Sequence, residues 1–92
     1  MLNKYDKLLD ILKSVDLKKI SNNEINYFKN KKILITGVSG IIGINLLFFF
    51  DALNNKKKTK ITVDGTFNTS IFLFLKKYFK KNKLINFKQI DL

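Results

Sequence analysis

The chain has 92 residues, enough for one small domain, and 46% of them are hydrophobic, which excludes an intrinsically disordered protein. Its formal net charge is +11, and all 18 basic residues are lysine. Because nucleic-acid binding surfaces usually contain arginine, we interpret the excess of lysine as a solvated surface. Cysteine and histidine are absent, which excludes disulfides, thiolate nucleophiles and the usual zinc sites.

Neither a secretory signal nor a membrane span is predicted. Charged residues stand among the first twelve, where a signal peptide would have its apolar region. The longest apolar stretch, Ile41 to Phe50, is interrupted by Gly43 and Asn45 and is far shorter than the roughly 20 residues of a membrane helix. We therefore predict a cytoplasmic protein that does not contact a membrane.

Two helices are predicted before the first strand. Apolar residues recur at helical spacing over residues 2 to 15, with lysine and aspartate between them, which predicts an amphipathic helix. Ser21 to Glu24 matches a capping box, so a short helix is expected through about Phe28. We interpret residues 1 to 30 as an N-terminal helical extension that packs against the sheet edge or a partner subunit.

The segment Lys32 to Gly43 predicts a strand, a glycine turn and the start of a helix. Ile33 to Ile35 are three consecutive apolar residues, typical of a central parallel strand that is buried on both faces. Glycines then recur every third residue, at Gly37, Gly40 and Gly43. Such a turn lets the backbone approach a pyrophosphate, while the N–H groups and positive dipole end of the following helix face the anion. The expected ligand is a dinucleotide.

The crossover helix after this turn is predicted from Ile41 to Leu53. We expect Gly43 to let the helix lie close to the strand, and the helix to face the sheet with Ile42, Leu46, Leu47 and Phe50. The aromatic triplet Phe48 to Phe50 covers a wide arc of the helix surface, and a single layer of protein is not expected to bury it.

A second strand is predicted at Ile61 to Val63, ended by Asp64 and Gly65. Asp64 follows Gly43 by 21 residues, where a carboxylate would accept hydrogen bonds from the adenosine ribose hydroxyls. An acid there also repels a 2′-phosphate, which favours NAD over NADP. The alternative is that Asp-Gly is only a turn pair.

The last two predicted elements are a helix from about residue 71 to Lys81 and a strand from Leu84 to Ile90. Asn68, Thr69 or Ser70 is expected to cap the helix. Together with the preceding elements, these residues predict an α/β fold in which the three strands are joined by crossover helices.

The motif Thr36-Gly37-x-x-Gly40-x-x-Gly43 resembles the Thr-Gly-x-x-Gly-x-x-Gly motif of the extended short-chain dehydrogenase/reductases, the family of NAD-dependent sugar epimerases and dehydratases. The resemblance runs from about Lys31 to Leu92. It implies that residues 31 to 92 are the N-terminal half of a Rossmann-type NAD-binding domain. The implied fold is a partial Rossmann fold with a three-stranded parallel sheet in the order 3-2-1.

The resemblance also implies the function and its residues. The chain would be the NAD-binding portion of an epimerase or dehydratase acting on nucleotide sugars. Asp91 matches an Asp that lies beside the adenine ring in the family, although Ile90 stands where the family usually has Gly. The implied cofactor-binding residues are Gly37, Ser39, Gly40, Ile41, Ile42, Gly43, Asp64, Asp91 and Leu92.

Catalysis in the resembled family depends on a Tyr-x-x-x-Lys pair, plus a Ser or Thr, downstream of the third strand, and this sequence has no counterpart there. Tyr27-x-x-x-Lys31 fits the short pattern but precedes the glycine motif, so we interpret it as coincidence. We therefore expect an incomplete fragment that is inactive alone and needs a complementing chain to act on a nucleotide sugar. The unpaired edge of the first strand predicts self-association or a partner chain. The alternative is a non-enzymatic lysine-rich binding module, or a structural relic without cofactor binding.

Overall fold

The computed structural model describes residues 4–38, 40–67 and 73–90. Helices and strands follow one another in these residues as α1 (Lys4–Lys13), α2 (Asn22–Phe28), β1 (Lys32–Ile35), α3 (Ile41–Lys57), β2 (Thr62–Phe67), α4 (Leu73–Tyr78) and β3 (Ile85–Gln89). Helices and strands alternate from β1 onward, so the predicted α/β class is confirmed. The predicted caps at residues 68 to 70 lie outside the described residues.

The strands form one parallel sheet in the order β1-β2-β3, with β2 in the centre. Strand β1 pairs with β2 from Lys32 opposite Thr62 to Ile35 opposite Gly65. Strand β2 continues along β3 as far as Phe67. Within the described residues, β1 is therefore an edge strand.

Both crossover helices lie on one face of the sheet. Ile35 and Val63 point to this face and are buried. Phe79, directly after α4, contacts Phe48 of α3 and Phe87 of β3, with ring centroids 5.2 and 6.0 Å apart respectively. These contacts join the two helices and the sheet into one hydrophobic core.

Much of the opposite face of the sheet is open, although Thr66, two residues beyond Asp64 on β2, is buried. Leu34, Asp64 and Asn86 lie side by side on it, one on each strand, and all three are exposed. Leu34 is 65% exposed. The prediction that the first strand is buried on both faces is therefore wrong, because the described residues supply a helical layer to only one face.

Helix α3 is longer than predicted and presents a different face to the sheet. It ends at Lys57 and not at Leu53. Leu47 and Phe50 are buried as predicted, but Ile42 and Leu46 are 78% and 41% exposed. The prediction for these two residues is wrong because α3 turns Gly43, Ile44 and Leu47 inward, which leaves Ile42 and Leu46 beside the outer edge of β1.

The aromatic triplet of α3 is covered by helices on two sides. Phe48 is 2% exposed and packs on Tyr78 and Phe79, with ring centroids 5.5 and 5.2 Å away. Phe50 packs on Phe28 at the end of α2, at 5.4 Å. This agrees with the expectation that a single layer of protein would not bury the arc, since helices on two sides are needed and Phe49 between them stays only partly buried.

The N-terminal extension packs on α3 and not on the edge of the sheet. Its apolar residues Leu12, Leu17 and Ile25 are buried in the same core as the residues of α3. The capping box is present as predicted: the Ser21 hydroxyl accepts from the backbone N–H of Glu24 at 3.1 Å, and the Glu24 carboxylate accepts from the backbone N–H of Ser21 at 3.2 Å.

Candidate functional site

The turn between β1 and α3 is fixed by backbone hydrogen bonds. Gly37 has a φ of 69°, a left-handed conformation that glycine adopts without strain. The N–H of Val38 donates to the carbonyl of Thr66 at 2.9 Å, which ties the turn to the end of β2. The N–H of Gly40 donates to the carbonyl of Gly37 at 2.9 Å, and Gly40 then serves as the N-cap of α3.

Gly43 allows the first turn of α3 to lie directly on this glycine turn. A Cβ atom at position 43 would collide with the carbonyl oxygen of Gly37 and would lie 2.9 Å from the Cα of Val38. Real Cβ atoms essentially never approach backbone this closely. The sequence-based expectation of a close approach at Gly43 agrees with this packing.

The N-terminus of α3 offers several backbone donors to a ligand. Its first intrahelical bond runs from the N–H of Ile44 to the carbonyl of Gly40, at 2.9 Å. The N–H groups of Ile41, Ile42 and Gly43 therefore have no partner within the helix. No side chain caps this end, and the first turn contains no acidic residue that would repel an anion.

An open groove with a volume of about 690 Å³ begins at the glycine turn and follows the outer edge of β1. This volume lies within the range of small-molecule sites. The groove brings together five of the predicted cofactor-binding residues, namely Gly37, Gly40, Ile41, Ile42 and Gly43. Ser39, Asp91 and Leu92 lie outside the described residues.

Asp64 is not among the residues that line this groove. Strand β2 continues to Phe67, so the prediction that Asp64 and Gly65 end the strand is wrong. A Cβ atom at Gly65 would lie 2.9 Å from the Cγ2 of Val38, so this glycine makes room for the turn beside it and does not itself form a turn. Asp64 lies three residues before the end of β2, and its role toward the ribose stays a prediction.

Thr66 is the β2 residue that accepts a hydrogen bond from the glycine turn, and sequence reasoning missed it. Its carbonyl accepts the hydrogen bond from Val38, and its side chain is 6% exposed. The sequence did indicate that β2 continues past Gly65, because Thr66 and Phe67 are good strand formers.

Tyr27 and Lys31 do not line the groove. The Lys31 ammonium lies 5.1 Å from the centroid of the Tyr27 ring, and Tyr27 is 67% exposed. The pair forms a cation–π contact at the protein surface.

Asp51 is a buried carboxylate that the sequence did not single out. Its Oδ1 accepts a hydrogen bond from Asn82 at 3.1 Å, and its Oδ2 accepts one from Asn55 at 3.3 Å. Burial raises the pKa of Asp51 above its ordinary value of 3.8, and the two amide bonds lower it by less. Asp51 and Tyr78 line a small cavity of about 140 Å³, and burial, followed by the charge of Asp51, raises the pKa of Tyr78.

The buried Asp51 should make the protein less stable as the pH rises from about 4 toward neutral. Because its pKa is raised, the folded state holds the proton in a range where the unfolded state has released it, and this stabilisation is lost as the pH passes the folded pKa. In Asp51→Asn this component of the pH dependence should disappear, so wild type should lose stability relative to the variant as the pH rises. Urea unfolding over this range measures it, and a flat difference between the two proteins contradicts it. Asp64→Asn removes an exposed carboxylate of the same charge and serves as the control.

Comparison of the chain with protein-family models, with curated proteins and with solved structures finds no match. Among the described residues, no group of three or more Asp, Glu, His or Cys side chains is placed to hold a metal ion. No helix in the described part of the chain has the length and apolar character needed to cross a membrane. The function is therefore inferred from the geometry of the site itself.

Proposed function

We propose that the chain binds NAD at the turn between β1 and α3, as the nucleotide-binding portion of an NAD-dependent epimerase or dehydratase acting on nucleotide sugars. The observation that carries this proposal is the packing of Gly43 against the backbone of Gly37 and Val38. This packing holds the first turn of α3, with its N–H groups that lack helical partners, at the end of the groove. A pyrophosphate is the anion that such an arrangement suits.

The surroundings of the turn also suit a dinucleotide. The exposed apolar side chains of Leu34, Ile41 and Ile42 line the groove and can contact the adenosine or nicotinamide moiety. The net charge of +11 attracts an anionic ligand. The parallel arrangement of β1, β2 and β3 with helical crossovers is the one expected for half of a Rossmann-type domain.

Hydride transfer requires more than the groove provides. Tyr27 and Tyr78 do not line the groove. In this proposal the chain supplies the nucleotide site, and the groove of the described residues does not supply the catalytic Tyr and Lys.

Calorimetric titration of the chain with NAD tests the proposal. We expect heat of binding with a stoichiometry near one and weaker binding of NADP. Ile42→Asp should weaken NAD binding by about tenfold, because it places a carboxylate where the pyrophosphate is expected. The variant should still fold, because an acidic residue in the first turn stabilises a helix. Asn23→Asp adds the same charge at an exposed position in the first turn of α2, which does not line the groove, and should leave binding unchanged. A folded chain that gives no heat with NAD would overturn the proposal.

Replacing Asp64 with alanine should weaken NAD binding by about 1.5 to 3 kcal/mol, the contribution of a charge-assisted hydrogen bond to the ribose. The ligand must extend from the turn over the end of β2 to reach Asp64, so this residue tests the proposed pose directly. Asp10→Ala makes the same change of charge at an exposed position on α1 and is the control. Calorimetry compares the three proteins. An affinity equal to that of Asp10→Ala would mean that Asp64 does not contact the ribose.

A further inference from the structure

The outer edge of β1 has backbone groups available for another strand. In a parallel sheet, the backbone N–H and C=O of one residue both point to the strand on one side, and those of the next residue point to the opposite side. The N–H of Thr62 donates to the carbonyl of Lys31 at 2.9 Å, so the backbone of Lys31 points to β2. By this alternation the backbone N–H and C=O groups of Ile33 and Ile35 also point to β2. Lys32 and Leu34 direct their backbone groups away from β2, where no strand of the described residues pairs with them. We call these groups of Lys32 and Leu34 the free edge.

Exposed apolar side chains flank the free edge. Leu34, Ile41, Ile42 and Leu46 are 65%, 83%, 78% and 41% exposed, and all four line the same groove. They belong to different elements that the fold brings together. A contiguous exposed apolar surface of this kind is typical of an interaction site.

The charge beside the free edge identifies the kind of partner. Lys29, Lys31 and Lys32 are exposed at the start of β1, and the whole chain carries a net charge of +11. A second copy would bring the same positive charge to this edge and would be repelled at low salt. An acidic partner would be attracted.

We propose that the free edge binds one extended segment of an acidic polypeptide by strand addition. The segment's backbone pairs with Lys32 and Leu34, and its apolar side chains lie against Leu34, Ile42 and Leu46 in the groove. Its carboxylates lie near the lysines at the start of β1. This inference does not depend on NAD binding, and because Leu34 and Ile42 line the groove in both proposals, the segment and NAD are expected to compete.

Two fluorescein-labelled peptides serve as probes, Glu-Glu-Glu-Val-Ile-Val-Ile-Val and the same sequence in reverse, which together allow both strand directions. We expect one of them to bind the wild-type chain, as measured by fluorescence anisotropy. Leu34→Pro removes the outward N–H without removing a bond to β2, as proline does on edge strands. It should weaken binding by about tenfold, whereas the matched variant Leu34→Ala should stay within about threefold of wild type.

A second pair of variants separates this surface from general charge attraction. Lys32→Glu and Lys88→Glu change the net charge equally, but Lys88 lies on β3, at the far edge of the sheet. We expect Lys32→Glu to weaken peptide binding by about fivefold and Lys88→Glu to leave it nearly unchanged. If circular dichroism shows that Leu34→Pro does not fold, the comparison of these two lysine variants tests the proposal instead.

Three results would overturn the proposal. In the first, neither peptide binds the folded wild-type chain. In the second, the two lysine variants weaken binding equally, or folded Leu34→Pro binds as well as Leu34→Ala. In the third, sedimentation velocity shows a dimer that tightens with salt and that neither peptide dissociates, in which case the occupant is a second copy of the chain.

Discussion

Replacing Gly43 with alanine should lower the free energy of unfolding by about 3 kcal/mol or more, the upper end of the cost of overpacking a rigid site. The new Cβ would meet the carbonyl of Gly37 and the Cα of Val38. Both are backbone atoms, which cannot rotate away as a flexible side chain can. To relieve the collision, α3 would have to move off the turn, which would also disturb the bond between Val38 and Thr66.

Gly40→Ala is the matched control for Gly43→Ala. Its Cβ would lie 3.3 Å from the Gly37 carbonyl, a tight but tolerable contact. The cost should be about 1 kcal/mol, mainly because alanine is a poor N-cap. Urea unfolding followed by circular dichroism measures both variants. Equal losses at the two positions would show that α3 does not rest on the turn through Gly43.

Replacing Phe48 with alanine should lower the free energy of unfolding by about 3 to 5 kcal/mol. Phe48 is 2% exposed and connects α3 to α4 through its ring contacts with Tyr78 and Phe79. Its removal leaves a cavity between the two helices that neither can fill without moving away from the sheet. Since a chain of this size has little stability in reserve, we expect a largely unfolded population at room temperature.

Phe49→Ala removes the same atoms one position along α3 and is the control for Phe48→Ala. Phe49 is only partly buried at the margin of the core. Its replacement should cost clearly less, about 1 to 2 kcal/mol. Thermal unfolding followed by circular dichroism ranks the two variants. A larger loss at Phe49 would mean that α4 does not pack on Phe48.

The elements that depend on local sequence could be predicted. The capping box at Ser21 and the strand-turn-helix around Gly37 and Gly43 are each determined by residues only a few positions apart. The α/β class follows from the same local patterns. Gly65 was misinterpreted as the end of β2, although Thr66 and Phe67 favour a continued strand, because the side chain of Val38 that requires a glycine there is distant in the sequence.

The buried face of α3 and the partners of its polar residues could not be predicted either, because both depend on contacts between residues that local patterns do not reveal. An apolar run such as Ile41 to Phe50 does not indicate which side meets the sheet; the contact at Gly43 settles it. The sequence does not indicate that Asp51 is buried, because its partner Asn82 lies 31 positions away. The glycine turn of the candidate site was therefore predictable, whereas the contact with Thr66 and the buried carboxylate were not.

The packing of α1 and α2 on α3 imposes an order of events during synthesis. Both helices leave the ribosome before α3 exists, so Leu12, Leu17 and Ile25 remain exposed to water until residues as far along as Phe50 have emerged. In that interval the nascent chain carries unburied apolar surface, which chaperones bind. Helices α1 and α2 are therefore made before α3 and cannot reach their final positions until it has emerged.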